Sequence, residues 1–150
     1  MGVLLLPITH RPEIMTSLQL FATKKRRREP LAMISLYNAP TAKLCCDAGV
    51  DAILVGDSMG NVVLGYDNTL PVTMEEMLVH TRAVARGVRA STRPEVPIVA
   101  DLPFGAYATE AGAAHNGAEL LRAGAHAVKL EGAGASALRA ARLLGEMGAP

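Results

Sequence analysis

The chain has no tryptophan, and phenylalanine and tyrosine together supply only 3% of its 150 residues. Its core must therefore be built from Ala, Val, Leu, Ile and Met, which suits the close helix–sheet packing of α/β proteins better than a β-sandwich. Charged residues are also scarce, at 19%, while half of all residues are hydrophobic. This composition excludes intrinsic disorder, and the length permits one ordinary domain.

The chain contains only two cysteines, and they are adjacent, at Cys45 and Cys46. Adjacent cysteines are poorly placed for a structural disulfide or for metal ligation. We therefore expect both to be small buried residues in a reducing compartment, the cytoplasm. Long hydrophobic runs are absent as well. The apolar stretch Gly2–Leu6 has no positive residue ahead of it and is broken by Pro7, so we expect neither a signal peptide nor a membrane span.

Positive charge is concentrated in one short run. The net charge is only +1, but Lys24–Arg28 holds five of the fifteen basic residues, which leaves ten basic against fourteen acidic residues elsewhere. Near-neutral charge argues against a protein dedicated to nucleic acid, which needs many phosphate contacts. The basic run is interpreted as the solvated end of a helix, with phosphate or nucleic-acid binding as the alternative.

Four short apolar runs alternate with longer segments that have a helical pattern. That order predicts an α/β fold with a parallel sheet and helical crossovers. The predicted strands are Leu31–Leu36, Ala52–Val55, Pro97–Ala100 and Ala127–Leu130. The predicted helices are Thr16–Arg28, a segment that ends near Asp47, Thr73–Arg86, Thr109–Arg122 and Ser136–Glu146.

The third of these helices has clear boundary signals. Thr73 and Glu76 have the spacing of a capping box, in which each residue satisfies a backbone donor at the start of the helix. Gly87 is expected to end the helix, because glycine is common just beyond a helix end. The segment Gly56–Val72, which precedes the helix, is predicted to be a long loop.

One sequence phrase is repeated. The segment Ala48–Val55 matches Ala123–Leu130, and in both a glycine ends a helix before a short turn leads into an apolar strand. Met147–Pro150 begins the same phrase a third time. We therefore expect the chain to stop immediately before a fifth strand.

Polar side chains lie at the ends of three successive predicted strands. Asp57 and Ser58 follow the second strand, Asp101 follows the third, Lys129 lies within the fourth and Glu131 just beyond it. Because the carboxyl ends of parallel strands share one edge, we expect these groups to converge. Three neighbouring carboxylates repel one another unless a cation joins them, which predicts a Mg²⁺ site with a lysine aimed at an anionic substrate. The alternative is that the two aspartates cap the helices that follow them.

A more specific signal comes from four segments, Val55–Gly60, Gly65–Thr73, Ala100–Tyr107 and Val128–Gly132. Together they resemble the ketopantoate hydroxymethyltransferase (3-methyl-2-oxobutanoate hydroxymethyltransferase) family, and the resemblance extends from about Leu31 to the last residue. It implies a (β/α)₈ TIM barrel of the phosphoenolpyruvate/pyruvate superfamily that assembles as a homo-oligomer, a decamer in the family. It also implies Mg²⁺-dependent transfer of a hydroxymethyl group from 5,10-methylenetetrahydrofolate to 3-methyl-2-oxobutanoate, which gives 2-dehydropantoate in pantothenate biosynthesis.

The resemblance assigns roles to the same polar residues. It implies that Asp57 and Asp101 ligate Mg²⁺, with Glu131 in the metal's shell. It further implies that the keto acid contacts Asp57, Ser58, Asp101 and Lys129. A metal chelated by the carboxylate and ketone oxygen of a 2-oxo acid would acidify the neighbouring C–H. The family's general base is a glutamate expected beyond the last residue, so no catalytic base is expected in this chain.

One residue departs from the family's pattern, since Asn38 follows Tyr37 where the family usually has Asp. The change either alters a helix cap or weakens a contact behind the metal ligands. Tyr37 also belongs to a group of aromatic residues in loops after the strands, which either wall the site against water or fill the barrel mouth. The other members are Tyr66, Phe104 and Tyr107.

The expected organisation is a leader and a helix with the basic run over residues 1–30, then the first half of a barrel over residues 31–150. About four βα units form only a half-barrel, because a complete barrel needs about 250 residues. We expect a fragment that is inactive alone and prone to aggregate through two unpaired sheet edges. Its expected partners are a 2-oxo acid and a folate, with no nucleic acid and no membrane. Two alternatives remain open: a related Mg²⁺-dependent lyase of the same superfamily, and a non-catalytic fragment.

Overall fold

Helices and strands alternate along the chain in the computed structural model, which describes residues 18–150. In chain order they are α1 (Gln19–Arg27), β1 (Met33–Ser35), α2 (Ala39–Asp47), β2 (Ala52–Val55), α3 (Met59–Val62), α4 (Met74–Arg89), β3 (Ile98–Asp101), α5 (Glu110–Arg122), β4 (Ala127–Lys129) and α6 (Ala135–Glu146). The predicted leader over residues 1–15 lies outside the described residues. Within residues 18–150, no helix has both the length and the hydropathy needed to cross a membrane.

The four strands form one parallel sheet in the order β1-β2-β3-β4. In the register, Ile53 of β2 lies opposite Ile98 of β3, and Asp101 at the end of β3 lies opposite Lys129 at the end of β4. Parallel neighbours need crossover connections, which the helices between the strands supply. This arrangement confirms the predicted α/β class and brings the carboxyl ends of all four strands to one edge.

The core lies between the sheet and the helices packed on it. Ile53 of β2 and Ile98 of β3 are almost completely buried, α2 packs on α4, and α5 packs on α6. The prediction of a buried first strand is wrong, because Met33 and Ile34 of β1 are 41% and 37% exposed. Among the described residues β1 pairs only with β2, so it is an edge strand whose side chains are incompletely covered.

The basic run is not wholly solvated. Lys24 Nζ lies 2.7 Å from Oδ2 of Asp51 and donates to the carbonyl oxygen of Pro30 at 3.1 Å. The carboxylate of Asp51 also accepts from the N–H of Ala32 at 2.8 Å. Lys24 therefore ties α1 to the segments that enter β1 and β2, whereas the other members, Lys25–Arg28, are exposed as predicted.

The segment Gly56–Val72, predicted as a loop, contains one turn of helix, α3. Met59 in this turn is fully buried, and Gly60 packs against the side chains of Val72 and Tyr66. A Cβ at Gly60 would lie only 2.5 Å from a methyl carbon of Val72. Tertiary packing thus stabilises a helix of four residues, which is too short to be stable alone or to show a helical pattern in the sequence.

Helix α4 begins as predicted but ends later. The Glu76 N–H donates to Thr73 Oγ1 at 3.2 Å and the Thr73 N–H donates to the Glu76 carboxylate at 2.7 Å, so the capping box is present. The prediction that Gly87 ends the helix is wrong, since α4 continues to Arg89. Gly87 is buried, and a Cβ there would overlap the carbonyl group of Ala39 at the start of α2. Glycine is required here for the close approach of two helices.

Replacing Gly87 by Ala tests this packing role against helix propensity. At an exposed helical position, Ala is favoured over Gly by about 0.5 to 1 kcal/mol. At Gly87 the added methyl group must push α2 and α4 apart, and overpacking of this kind costs about 1 to 3 kcal/mol. We therefore expect Gly87→Ala to lower the free energy of unfolding measured in urea.

Gly145→Ala is the matched control for this substitution. Gly145 is exposed in α6, and among residues 18–150 no atom beyond its chain neighbours and the backbone of its own helix lies within 4 Å of the position of an added Cβ. This variant is expected to be as stable as the parent chain or slightly more stable. Equal stability of the two variants would contradict the packing role of Gly87.

Candidate active site

Asp101 and Lys129 form the centre of the candidate site. They end β3 and β4, and the sheet register places them opposite each other. The Lys129 ammonium donates to Oδ1 of Asp101 at 2.7 Å. The Asp101 side chain is only 5% exposed, whereas that of Lys129 is 39% exposed. A buried carboxylate at a fixed position therefore contacts a lysine whose long side chain reaches solvent.

Asp57 joins this pair from the end of β2. Its backbone N–H donates to Oδ2 of Asp101 at 3.2 Å, so both carboxylate oxygens of Asp101 accept hydrogen bonds. Gly56 makes the close approach possible. A Cβ at Gly56 would lie 2.8 Å from Oγ of Ser58 and 3.5 Å from Oδ2 of Asp101. The absence of a side chain at Gly56 thus leaves room for the polar groups of two strand ends.

The alternative role of the two aspartates as helix caps is wrong. Helix α3 begins after Ser58 without a side-chain cap, and α5 is capped by the hydroxyl of Thr109. Asp101 uses its carboxylate oxygens for Lys129 and for the N–H of Asp57 instead. Helix capping therefore does not account for either aspartate.

Glu131 lies beyond β4 on the open side of this cluster. Its Oε1 is 3.2 Å from Nζ of Lys129, so the ammonium bridges the carboxylates of Asp101 and Glu131. The Glu131 side chain is 72% exposed, and its backbone carbonyl accepts from the Tyr107 hydroxyl at 3.1 Å. The structure thus brings all three predicted carboxylates and the predicted lysine to one edge of the sheet.

A cavity of about 170 Å³ opens beside these groups. Pockets for drug-sized ligands measure roughly 300 to 1,000 Å³, so this cavity suits only a small molecule. All three predicted carboxylates contribute to its wall, whereas Lys129 and Ser58 are not among its lining residues. The lining residues are Asp57, Thr69, Leu70, Asp101, Leu102, Phe104, Tyr107 and Glu131.

The aromatic residues divide between the cavity and other roles. Phe104 and Tyr107 line the cavity, as one interpretation expected, but Tyr66 donates to the carboxylate of Glu76 on α4 at 2.6 Å. Sequence reasoning did not single out Thr69 and Leu70 as lining residues. The one sequence feature that points to them is that both lie within the family-specific segment from residue 65 to residue 73.

The excess of negative charge shifts the protonation equilibria of the cluster. Burial raises the pKa of Asp57, and the neighbouring charge of Asp101 raises it further. Burial opposes the charged form of Lys129, but hydrogen bonds and ion pairs with Asp101 and Glu131 outweigh this effect and raise its pKa. Within residues 18–150, the Lys129 ammonium thus faces three carboxylates, and burial together with the charge of Asp101 disfavours the ionised form of Asp57.

Ser58 is held by Tyr37 from the end of β1. The Tyr37 hydroxyl and Oγ of Ser58 are 2.9 Å apart, within hydrogen-bond distance. Nδ1 of His80 on α4 donates to the Tyr37 backbone carbonyl at 2.7 Å. Asn38 caps α2 by accepting from the N–H of Thr41 at 3.0 Å. The residue that departs from the family's pattern therefore serves as a helix cap.

The side chains of the site can be compared with the ligands that Mg²⁺ requires. Within residues 18–150, no three His, Cys, Asp or Glu side chains are grouped closely enough to form a ready-made metal site. Mg²⁺, however, commonly takes only one or two protein carboxylates and completes its shell with water and substrate. Asp57 and Asp101 line one cavity and raise each other's electrostatic energy, so this pair fits the ion. Glu131 faces Lys129, and its role as a ligand stays a prediction.

Solved structures of other enzymes share the fold of this chain. The crystal structure of 2,3-dimethylmalate lyase, a PEP mutase/isocitrate lyase superfamily member, aligns with a TM-score of 0.65 and 16% identity over 89% of this chain and 50% of that chain. Phosphonopyruvate hydrolase in complex with oxalate and Mg++ aligns with a TM-score of 0.61 and 20% identity over 76% of this chain and 38% of that chain. These likenesses show the fold, a partial α/β barrel, and confirm the predicted fold class.

Sequence comparison identifies the family. The family profile described as ketopantoate hydroxymethyltransferase matches residues 15–150. The 3-methyl-2-oxobutanoate hydroxymethyltransferase of Thermotoga maritima is 52% identical over 110 residues, which are 73% of this chain and 39% of the relative. That of Caldivirga maquilingensis is 47% identical over 135 residues, 89% of this chain and 48% of the relative. The chain thus spans less than half the length of these relatives, and it belongs to the ketopantoate hydroxymethyltransferase family.

Proposed function

We propose that this chain forms the metal-binding and 2-oxo-acid-binding part of a 3-methyl-2-oxobutanoate hydroxymethyltransferase. The proposed reaction transfers a hydroxymethyl group from 5,10-methylenetetrahydrofolate to 3-methyl-2-oxobutanoate and gives 2-dehydropantoate, in pantothenate biosynthesis. The observation that carries the proposal is the convergence of Asp57, Asp101 and Lys129 at one strand edge in a chain that matches this family. We further propose that the protein acts in the cytoplasm as a homo-oligomer.

The side chains have distinct proposed roles. Asp57 and Asp101 would hold Mg²⁺, which when bound supplies a Lewis acid that acidifies the C–H beside the ketone. Lys129 neutralises the substrate carboxylate, and Ser58, oriented by Tyr37, donates a hydrogen bond to it. The structure solved with oxalate and Mg++ supports this assignment, since oxalate presents two adjacent oxygens as a 2-oxo acid does.

The base that removes the substrate proton is proposed to lie outside residues 1–150. Within the described site, Glu131 is paired with Lys129, and Nδ1 of His80 is bonded to a backbone carbonyl. Neither group is therefore free at those atoms to accept a proton from the substrate. The relatives extend well beyond the length that this chain spans, which leaves room for a base elsewhere.

A carbon–carbon lyase that acts on another 2-oxo acid is the second candidate. It is favoured only by the fold likeness to 2,3-dimethylmalate lyase, at 16% identity. The hydroxymethyltransferase relatives are 47% to 52% identical, which favours the first candidate. Comparison of 3-methyl-2-oxobutanoate with other 2-oxo acids in a binding assay separates the two.

Asp101→Asn tests the metal-dependent binding of the keto acid. Loss of the carboxylate charge removes a proposed ligand of Mg²⁺ and the ion-pair partner of Lys129. Mutation of residues that only support metal ligands typically lowers metal affinity or activity by about 10- to 100-fold. We therefore expect at least a tenfold loss of 3-methyl-2-oxobutanoate affinity in calorimetric titrations with Mg²⁺.

Glu95→Gln is the control for the lost charge. Glu95 is exposed before the start of β3, at the opposite edge of the sheet, and pairs with nearby Arg93. This variant should bind the keto acid as the parent chain does. Normal binding by Asp101→Asn would contradict the proposed role of Asp101.

The raised pKa of Asp57 predicts a pH-dependent stability. Because the folded-state pKa lies above the unfolded value, stability is lost as the pH rises through the folded-state pKa and Asp57 ionises. Asp57→Asn cannot ionise, so without metal it should be more stable than the parent chain at pH 7. The advantage should shrink below pH 3.8, the ordinary value for Asp, where both states of the parent chain are protonated.

Urea denaturation of the two chains at several pH values measures this difference directly. Addition of Mg²⁺ at pH 7 should stabilise the parent chain and leave Asp57→Asn nearly unchanged, because the ion needs the ionised carboxylate. A constant stability difference at all pH values would show that the charge of Asp57 is not the cause.

A further inference from the structure

Lys129 already neutralises the buried carboxylate of the site. Its ammonium lies 2.7 Å from Asp101 and 3.2 Å from Glu131. Removal of one partner from a buried ion pair is strongly unfavourable, because it leaves an uncompensated charge. Asp101 therefore needs a positive partner at all times, either this lysine or another cation.

The two members of the pair differ in freedom of movement. Asp101 ends β3, is almost completely buried, and also accepts from the N–H of Asp57. Lys129 is more than one-third exposed, and its charge lies at the end of a flexible four-carbon chain. If another cation approaches Asp101, the lysine is the member that moves.

We propose that Lys129 is an exchangeable counterion. It neutralises Asp101 while no divalent cation is bound, and it moves to the carboxylate of the 2-oxo acid once a divalent cation takes its place. This inference rests on the proposed function and adds to it a coupling between metal binding and substrate binding. Its alternative is a permanent ion pair in which Lys129 stays on Asp101 whatever else binds.

The exchange has a thermodynamic consequence. Binding of the divalent cation alone breaks the contact between Lys129 and Asp101 and leaves the lysine without that partner. The substrate carboxylate then supplies a new partner for the ammonium. Each ligand therefore increases the affinity for the other, and such coupling between sites typically changes affinity by about 5- to 150-fold.

Chemical acetylation of the wild-type chain measures the release of Lys129. An ammonium held by Asp101 reacts slowly with an amine-acetylating reagent, so Mg²⁺ alone should increase the acetylation rate of Lys129 relative to the rate without Mg²⁺. Addition of 3-methyl-2-oxobutanoate should suppress the rate again. Lys43 is the internal control, because it pairs with Asp47 on α2, away from the site, and its rate should not change.

Lys129→Met gives a second measurement. Without the competing ammonium, Mg²⁺ alone should bind at least about fivefold more tightly in calorimetric titrations. The further gain on adding 3-methyl-2-oxobutanoate should be smaller than in the wild-type chain. Lys43→Met should behave as the wild-type chain in both titrations.

The outcomes separate this inference from the proposed function. If Mg²⁺ binds to the wild-type chain but leaves the acetylation of Lys129 unchanged, the pair is permanent and the exchange is overturned. Unchanged Mg²⁺ affinity in a folded Lys129→Met chain overturns it as well. If the wild-type chain binds no Mg²⁺ at all, the proposed function and the inference both fail. Should Lys129→Met not fold, the acetylation result decides alone.

Discussion

The parallel register between β3 and β4 is the constraint on which the site depends. It places Asp101 directly opposite Lys129 at the ends of the two strands. A shift by one residue would turn one of these side chains to the other face of the sheet, because side chains alternate along a strand. The apolar row before this pair, in which the buried Ala100 lies opposite the partly buried Val128, favours this register because a shift would change which side chains face the core.

The site combines electrostatic stress with close packing. Gly56 leaves the space in which Asp57, Ser58 and Asp101 approach one another, and burial raises the pKa of Asp57. The ammonium of Lys129 balances part of this negative charge. The cluster is thus less stable than an apolar packing of the same strand ends would be. Functional sites commonly have such a local loss of stability, and here a bound cation and a bound anion would offset it.

Much of the fold was predictable because its signals are local. Apolar runs, the capping box of α4 and the strand-end positions of the acids can be recognised in short stretches of sequence. The incorrect predictions depend on tertiary contacts: Gly87 is explained by the approach of α2, and the turn α3 by the burial of Met59. The exposure of β1 follows from its place at the sheet edge.

The positions of the charged residues of the site were predictable to a similar extent. The rule that parallel strands share one carboxyl edge was sufficient to place the acids and the lysine together. It did not show that Lys129 contacts Asp101 directly, because that contact requires the register. Nor did it indicate that Tyr37 holds Ser58, since that contact depends on side-chain geometry. For Asn38 the sequence left a helix cap and a contact behind the metal ligands both open, and the structure shows the cap.

The proposed site depends on Asp57 and Asp101 together holding a divalent cation that in turn holds a keto acid. A crystal structure of the chain with Mn²⁺ and 3-methyl-2-oxobutanoate tests it most directly, because Mn²⁺ can be located by anomalous scattering. We expect an anomalous peak within bonding distance of both carboxylates, with Lys129 on the substrate carboxylate. A peak at another place, or none beside Asp101, would show that the two aspartates do not form the metal site.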